Sequence, residues 1–249
     1  MSVLQQVLRL NNRGVFMLAS GEEGQALGFL KESLRLMKDE FAREKAEGDL
    51  LDTTNNTPSI VTGPSKCDST EAQEEEPSHL YEKVEMDGFK DSSDFFIFNS
   101  AIKLSPQALA RHSRQHDPEI SILFTACVLF NTAMTYHNHG ILQTNRTCLG
   151  KAAGIYIQTI KLLRTCAGQS EMNATSSMIE MAALNNLSHI HLVQGDHMQS
   201  RQLLEDLAGL TAFVRAFDFA PRLFADRDVN QLLVNIYFLI ASDSAAPAA

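Results

Sequence analysis

The sequence has no Trp, four Cys and seven Pro in 249 residues, and only a fifth of it is charged. No two of Cys67, Cys127, Cys148 and Cys166 form a C-x-x-C, which argues against a zinc knuckle and a thioredoxin-type redox pair. A basic excess is also missing. Lys and Arg number 21 against 30 Asp and Glu, a formal net charge of −9. Binding to nucleic acid or to an anionic membrane surface needs the opposite sign, so neither is expected as a partner. The longest apolar run, 120–130, is interrupted by Ser and Thr and is far shorter than a bilayer span. Residues 1–13 lack the charged start and long apolar run of a secretory signal. The expectation is a soluble, cytoplasmic protein with reduced thiols. No G-x-S-x-G, Walker loop or G-x-G-x-x-G occurs either, so no enzyme and no cofactor are expected.

What is present is helical periodicity. Val3, Leu4, Val7, Leu8 and Val15 make one apolar stripe, and Leu27, Leu30, Leu34, Met37 and Phe41 make a second. Gly21 parts them, which predicts an antiparallel helix pair over about 2–41. From 42 to 80 there is no aromatic residue, while Pro58, Pro64, Pro77 and the acids Glu71, Glu74, Glu75 and Glu76 accumulate. Such a stretch buries too little apolar area to offset its ordering entropy, and 44–79 is expected to be a disordered acidic loop. Residues 80–104 carry the β-prone run Phe95, Phe96, Ile97, Phe98 beside a turn-rich segment, which predicts a β-hairpin or extended segment. Helix returns after it, with pairs at about 117–167 and 174–214 and a last helix at about 228–241.

The helix pairs repeat one another. Counted from Asn12, Gly14 stands at +2, Gly21 at +9, Ala26 at +14 and Leu30 at +18. Counted from Asn186, Ser188, Gly195, Ser200 and Leu204 stand at the same offsets. Asn131 begins a third copy with Ala133 at +2 and Gly140 at +9; its later marks, Ala152 and Tyr156, come seven residues late, as one insertion in the turn would cause. Small residues where two helices cross and a Gly at the turn make physical sense. They allow close approach and a positive φ.

These spacings resemble the tetratricopeptide repeat over about 2–40, 117–167 and 174–214, and the chain resembles single-domain proteins of that layout. The departures are aliphatic residues at several aromatic positions, no closing Pro, and about 75 residues between the first copy and the second. The resemblance implies a mainly α fold, a right-handed superhelix of antiparallel helix pairs. It also implies a concave groove lined by the first helix of each pair.

On that groove the resemblance places Asn12, Asn131 and Asn186 in equivalent positions, with Met134, His137 and His189, and Phe130, beside them. An Asn amide both donates and accepts, so a ladder of them holds an extended peptide by its backbone. The competing reading is that these amides bond neighbouring helices or cap turns. The expected function is a non-enzymatic scaffold binding a protein or peptide. The alternative is a metal- or small-molecule-dependent enzyme using the pairs His112/His116, His137/His139 and His189/His191. Of these, only His112-x-x-x-His116 has metal-ligand spacing on one helical face, and it lacks the Glu of an H-E-x-x-H motif.

Overall fold

The structure is a computed structural model that describes residues 1–52, 81–85, 97–107, 109, 118–167, 174–216 and 232–237. Within them the chain is mainly helical with one two-stranded sheet. The helices are α1 (Val3–Ala19), α2 (Glu23–Asp52), α3 (Pro118–Leu142), α4 (Arg146–Ala167), α5 (Ala174–Val193) and α6 (His197–Ala216). Strands β1 (Tyr81–Glu85) and β2 (Ser100–Leu104) lie between α2 and α3, and 232–237 is a further helical stretch. Each helix packs on the next in sequence, α1 on α2 through to α5 on α6. In addition α3 touches α1 and α5, and β2 packs against α1 and α3.

All three pairs turn the same way. In the first, Glu22 N–H donates to Met17 C=O and Gly21 N–H to Leu18 C=O. The second repeats this with Asn145 to Gly140 and Thr144 to Ile141, and the third with Asp196 to His191 and Gly195 to Leu192. This double bond pattern needs a left-handed residue just past the helix end. Gly21 (φ 76°) and Gly195 (φ 82°) supply it without strain, and Thr144 (φ 49°) supplies it in the middle pair. The turn of that pair therefore holds no insertion. Its left-handed residue comes four places later than in the others, and Ala152 follows three places later still. The seven extra residues lengthen the end of α3 and the start of α4 by about a turn each.

Gly140 consequently does not end α3, which runs on to Leu142. Its role is close approach. A Cβ there would stand 2.6 Å from Leu149 Cδ2 and 3.0 Å from Leu149 N. Gly14 is similar, with Leu30 Cγ 2.8 Å from where a Cβ would stand. In the third pair the crossing point is Ser188, whose hydroxyl donates to Ser200 C=O at 3.1 Å. Caps start the helices: Ser2 and Gln5 form a capping box at α1, Asn145 accepts from Thr147 and Cys148 N–H at α4, and Asp196 accepts from Gln199 N–H at α6.

Two expected boundaries change. Helix α2 runs past residue 41 to Asp52, so 44–52 is helix rather than loop. The reason is local. Residues 42–52 are mostly good helix formers, and Arg35–Glu32, Arg35–Asp39 and Arg43–Glu40 pairs line the exposed face just before them. Residues 53–79 lie outside the described residues, as do Phe95, Phe96, His112 and His116. The strands are Tyr81–Glu85 and Ser100–Leu104, paired antiparallel from Tyr81↔Leu104 to Glu85↔Ser100, so β2 begins after the aromatic run and not within it. Of the expected helix at 228–241, 232–237 is described.

The core centres on α3. Phe124, Cys127, Phe130, Met134 and His137 are each fully buried. Residues 119–142 are long and apolar enough to cross a membrane, but 83% of their most apolar stretch is buried inside the protein. A helix that is apolar all round is enclosed by other helices in this way. On the far side Arg164 of α4 ties α5 and α6 together, 2.6 Å from Glu180 and 3.5 Å from Asp206.

These contacts give opposite outcomes for two helical glycines. Gly140→Ala is expected to overpack against Leu149 and cost about 1–3 kcal/mol. Gly28→Ala, with nothing within 4 Å of a new Cβ, is expected to be neutral or to stabilise by up to about 1 kcal/mol. Urea unfolding of both variants checks this; equal effects would contradict the close approach.

Candidate functional site: an asparagine ladder

Residues 97–104 run extended across the first helices, and three asparagines hold them. Asn186 on α5 accepts from Phe98 N–H at 2.7 Å and donates to Phe98 C=O at 3.0 Å. Asn131 on α3 accepts from Ile102 N–H at 2.8 Å and donates to Ile102 C=O at 2.7 Å. Asn12 on α1 accepts from Leu104 N–H and donates to Leu104 C=O, both at 2.8 Å. The segment thus runs from α5 to α3 to α1, opposite to the order of the helix pairs.

Phe98, Ile102 and Leu104 are separated by even numbers of residues. Along a strand, alternate residues turn their main-chain groups to the same edge, so one edge meets all three amides. The opposite edge, at Ala101 and Lys103, is left to β1, which pairs them with Val84 and Glu82. A 2.8 Å ion pair between Lys103 and Glu82 reinforces that register. At about 3.3 Å per residue the contacts lie about 13 Å and about 7 Å apart along the strand.

Two of the three ladder amides donate to a third partner. Asn131 Nδ2 spends its second N–H on Asn11 Oδ1 at 2.9 Å. Asn11 Nδ2 in turn donates to Ile102 C=O at 3.0 Å and to Asn12 Oδ1 at 3.3 Å. In α3 the residue before the ladder position is Phe130 instead of Asn, and Asn186 Nδ2 gives its second N–H to the Tyr156 hydroxyl at 3.1 Å. Burial holds that phenol well above its ordinary pKa, hence neutral. Asn235, in 232–237, donates to Asn185 Oδ1. The Asn235–Asn185 bond has the same donor and acceptor atoms as the Asn131–Asn11 bond.

Of the six residues expected on the groove, Asn12, Asn131 and Asn186 bind one segment, and His137 meets His189. Met134 is fully buried. His137 Nε2 lies 3.1 Å from His189 Nδ1, and the His137 ring stands edge-on to Tyr156. Phe130 packs on both Phe98 and Tyr156. Their surroundings differ from expectation. A groove that holds a separate peptide would leave these amides open to it, but Asn131 and Asn186 are 0% exposed. The chain's own segment covers these helices, with Ile97, Phe98, Ala101, Ile102 and Leu104 each at most 1% exposed. The amides are at once a ladder and part of the core.

The histidines separate. His139 pairs with Glu23 of α2 at 2.8 Å and His191 with Asp196 at 3.3 Å, each away from its sequence neighbour. Among the described residues no three His, Cys, Asp or Glu side chains converge as a metal site. Burial, with a smaller contribution from His189, pushes the His137 pKa well below the usual imidazole range. Burial also lowers His189 to about 4. Both are neutral at pH 7, one donating to the other. Sequence reasoning missed Asn11, Asn185, Asn235 and Tyr156 as members of the network, and missed the occupant. The doublets Asn11-Asn12 and Asn185-Asn186 carried the signal for the first two. Comparison with protein-family models, curated proteins and solved structures finds nothing that matches this chain.

Two outcomes follow from the ladder. Asn131→Ala removes both Ile102 contacts and leaves Ile102 N–H and Asn11 Oδ1 unpaired in the core, so thermal and urea unfolding should show a loss of about 1–3 kcal/mol; an unchanged melt would contradict it. The histidine pair sets a pH dependence. In the unfolded chain His189 takes up a proton near pH 6.5, while in the native chain it resists until about 4. Native stability therefore falls as pH drops through that window, by about 3 kcal/mol from His189. His189→Gln should shrink the fall measured between pH 6.5 and 4, and an unaltered fall would contradict the assignment.

Proposed function

We propose that this chain is a non-enzymatic, intracellular scaffold of the tetratricopeptide-like kind. Its helix pairs stack as a right-handed solenoid, and their concave face grips an extended protein segment. The observation that carries the reading is the repeated use of one side chain. Asn12, Asn131 and Asn186 come from three equivalent helices, and each gives both amide atoms to a single residue of an extended strand. Main-chain recognition of this type holds a peptide whatever its side chains, and apolar pockets then select among peptides. Here the pockets take Phe98, Ile102 and Leu104, so the matching partner is a protein or peptide with an extended apolar segment. In the resting chain the occupant is internal, and a partner engages by taking its place. Neutral amides and neutral imidazoles line the face, which favours holding a chain over proton transfer.

A labelled peptide of residues 97–105 tests this. It should bind weakly or not at all to the intact protein. It should bind saturably to a Phe98→Asp, Ile102→Asp variant, whose own strand no longer suits the groove, and adding Asn131→Ala should abolish that binding. A folded double variant that ignores the peptide would overturn the proposal.

A further inference from the structure

The strand in the groove is an insertion into a helical array that is continuous without it. Helix α2 packs directly on α3, although 65 residues separate Asp52 from Pro118, and β1 and β2 fall within that interval. Removing the strand from its groove breaks no helix–helix contact. The connections on either side are long. Residues 53–80, 28 in all, precede β1, and residues 105–117, 13 in all, follow β2. All three ladder contacts are to main-chain atoms, and the buried side chains are those of the strand itself. A strand with this sequence therefore finds the same bonds and the same pockets whichever copy of the chain it belongs to.

We propose that β1 and β2 exchange together between two copies of this protein, giving a symmetric dimer in which each groove holds its partner's β2. The proposal rests on the reading of the groove given above and names its occupant in trans. Two copies close the exchange, because each gives one strand and receives one, and no groove is left to recruit a third. Within one chain the tether gives the strand a high effective concentration, so the closed monomer prevails in dilute solution and exchange grows with protein concentration.

Two full-length variants test it by complementation. One carries Asn131→Ala and Asn186→Ala and keeps a good strand. The other carries Phe98→Asp and Ile102→Asp and keeps a good groove. Mixed at high concentration, they should yield a heterodimer of twice the 27.6 kDa chain mass in native mass spectrometry, with a melting point above that of either variant alone. A mixture that stays monomeric and melts as the sum of its parts would overturn exchange. Should either variant fail to fold, two mass-tagged forms of the unaltered protein, warmed together to the melting midpoint and cooled at high concentration, should give mixed-tag dimers; monomers alone would overturn exchange there too. The 97–105 peptide separates the two proposals. If the strand-defective variant binds the peptide yet forms no heterodimer, exchange fails and the scaffold reading survives. If it does neither, both fail.

Discussion

A strand laid across helices leaves one edge of main-chain groups facing side chains, and buried N–H and C=O groups without partners are costly. The asparagine ladder satisfies that edge. An amide side chain presents one acceptor and two donors, enough to take both main-chain groups of a residue and still reach one more atom. Asn131 and Asn186 use that third bond on Asn11 and on Tyr156. Remove the amides, and 98–104 has no side-chain partner on the helix side; remove that segment, and Phe130 loses its contact with Phe98. The placement of the sheet against α1 and α3 depends on these bonds.

The helical pairs were legible because two signals agreed at every level. Apolar stripes gave the helices, and small residues at fixed offsets gave crossings at Gly14 and Ser188, where the second helix lies close; Gly140, read as a turn residue, instead makes a close approach within the pair. The expected groove residues stand together because positions equivalent in a repeat are equivalent in space. The extent of α2 was harder to read. Beyond Phe41 the helix is carried by helix propensity, which leaves no apolar stripe. Thr144 was hidden for a related reason. Its left-handed conformation follows from the bond pattern of the turn, whereas the residue type points elsewhere.

The occupant of the groove was not legible at all. Periodicity assigns elements, but it does not say which distant segment lies against them. The run through Phe98 reads as a strand in need of cover, and the asparagines read as donors in need of a chain. Only the fold joins the two, across 88 residues from Phe98 to Asn186 and 92 from Asn12 to Leu104. The same gap explains why an amide can be read as solvent-facing and prove to be in the core.

The central claim is that side-chain amides hold this strand as firmly as a neighbouring strand would. Native-state hydrogen exchange resolved to single residues tests it most directly. Phe98, Ile102 and Leu104 N–H groups each donate to an asparagine, so they should exchange only through global unfolding, as slowly as the core amides of α3. Exchange of these three at the rate of an exposed loop, while α3 stays protected, would contradict the account.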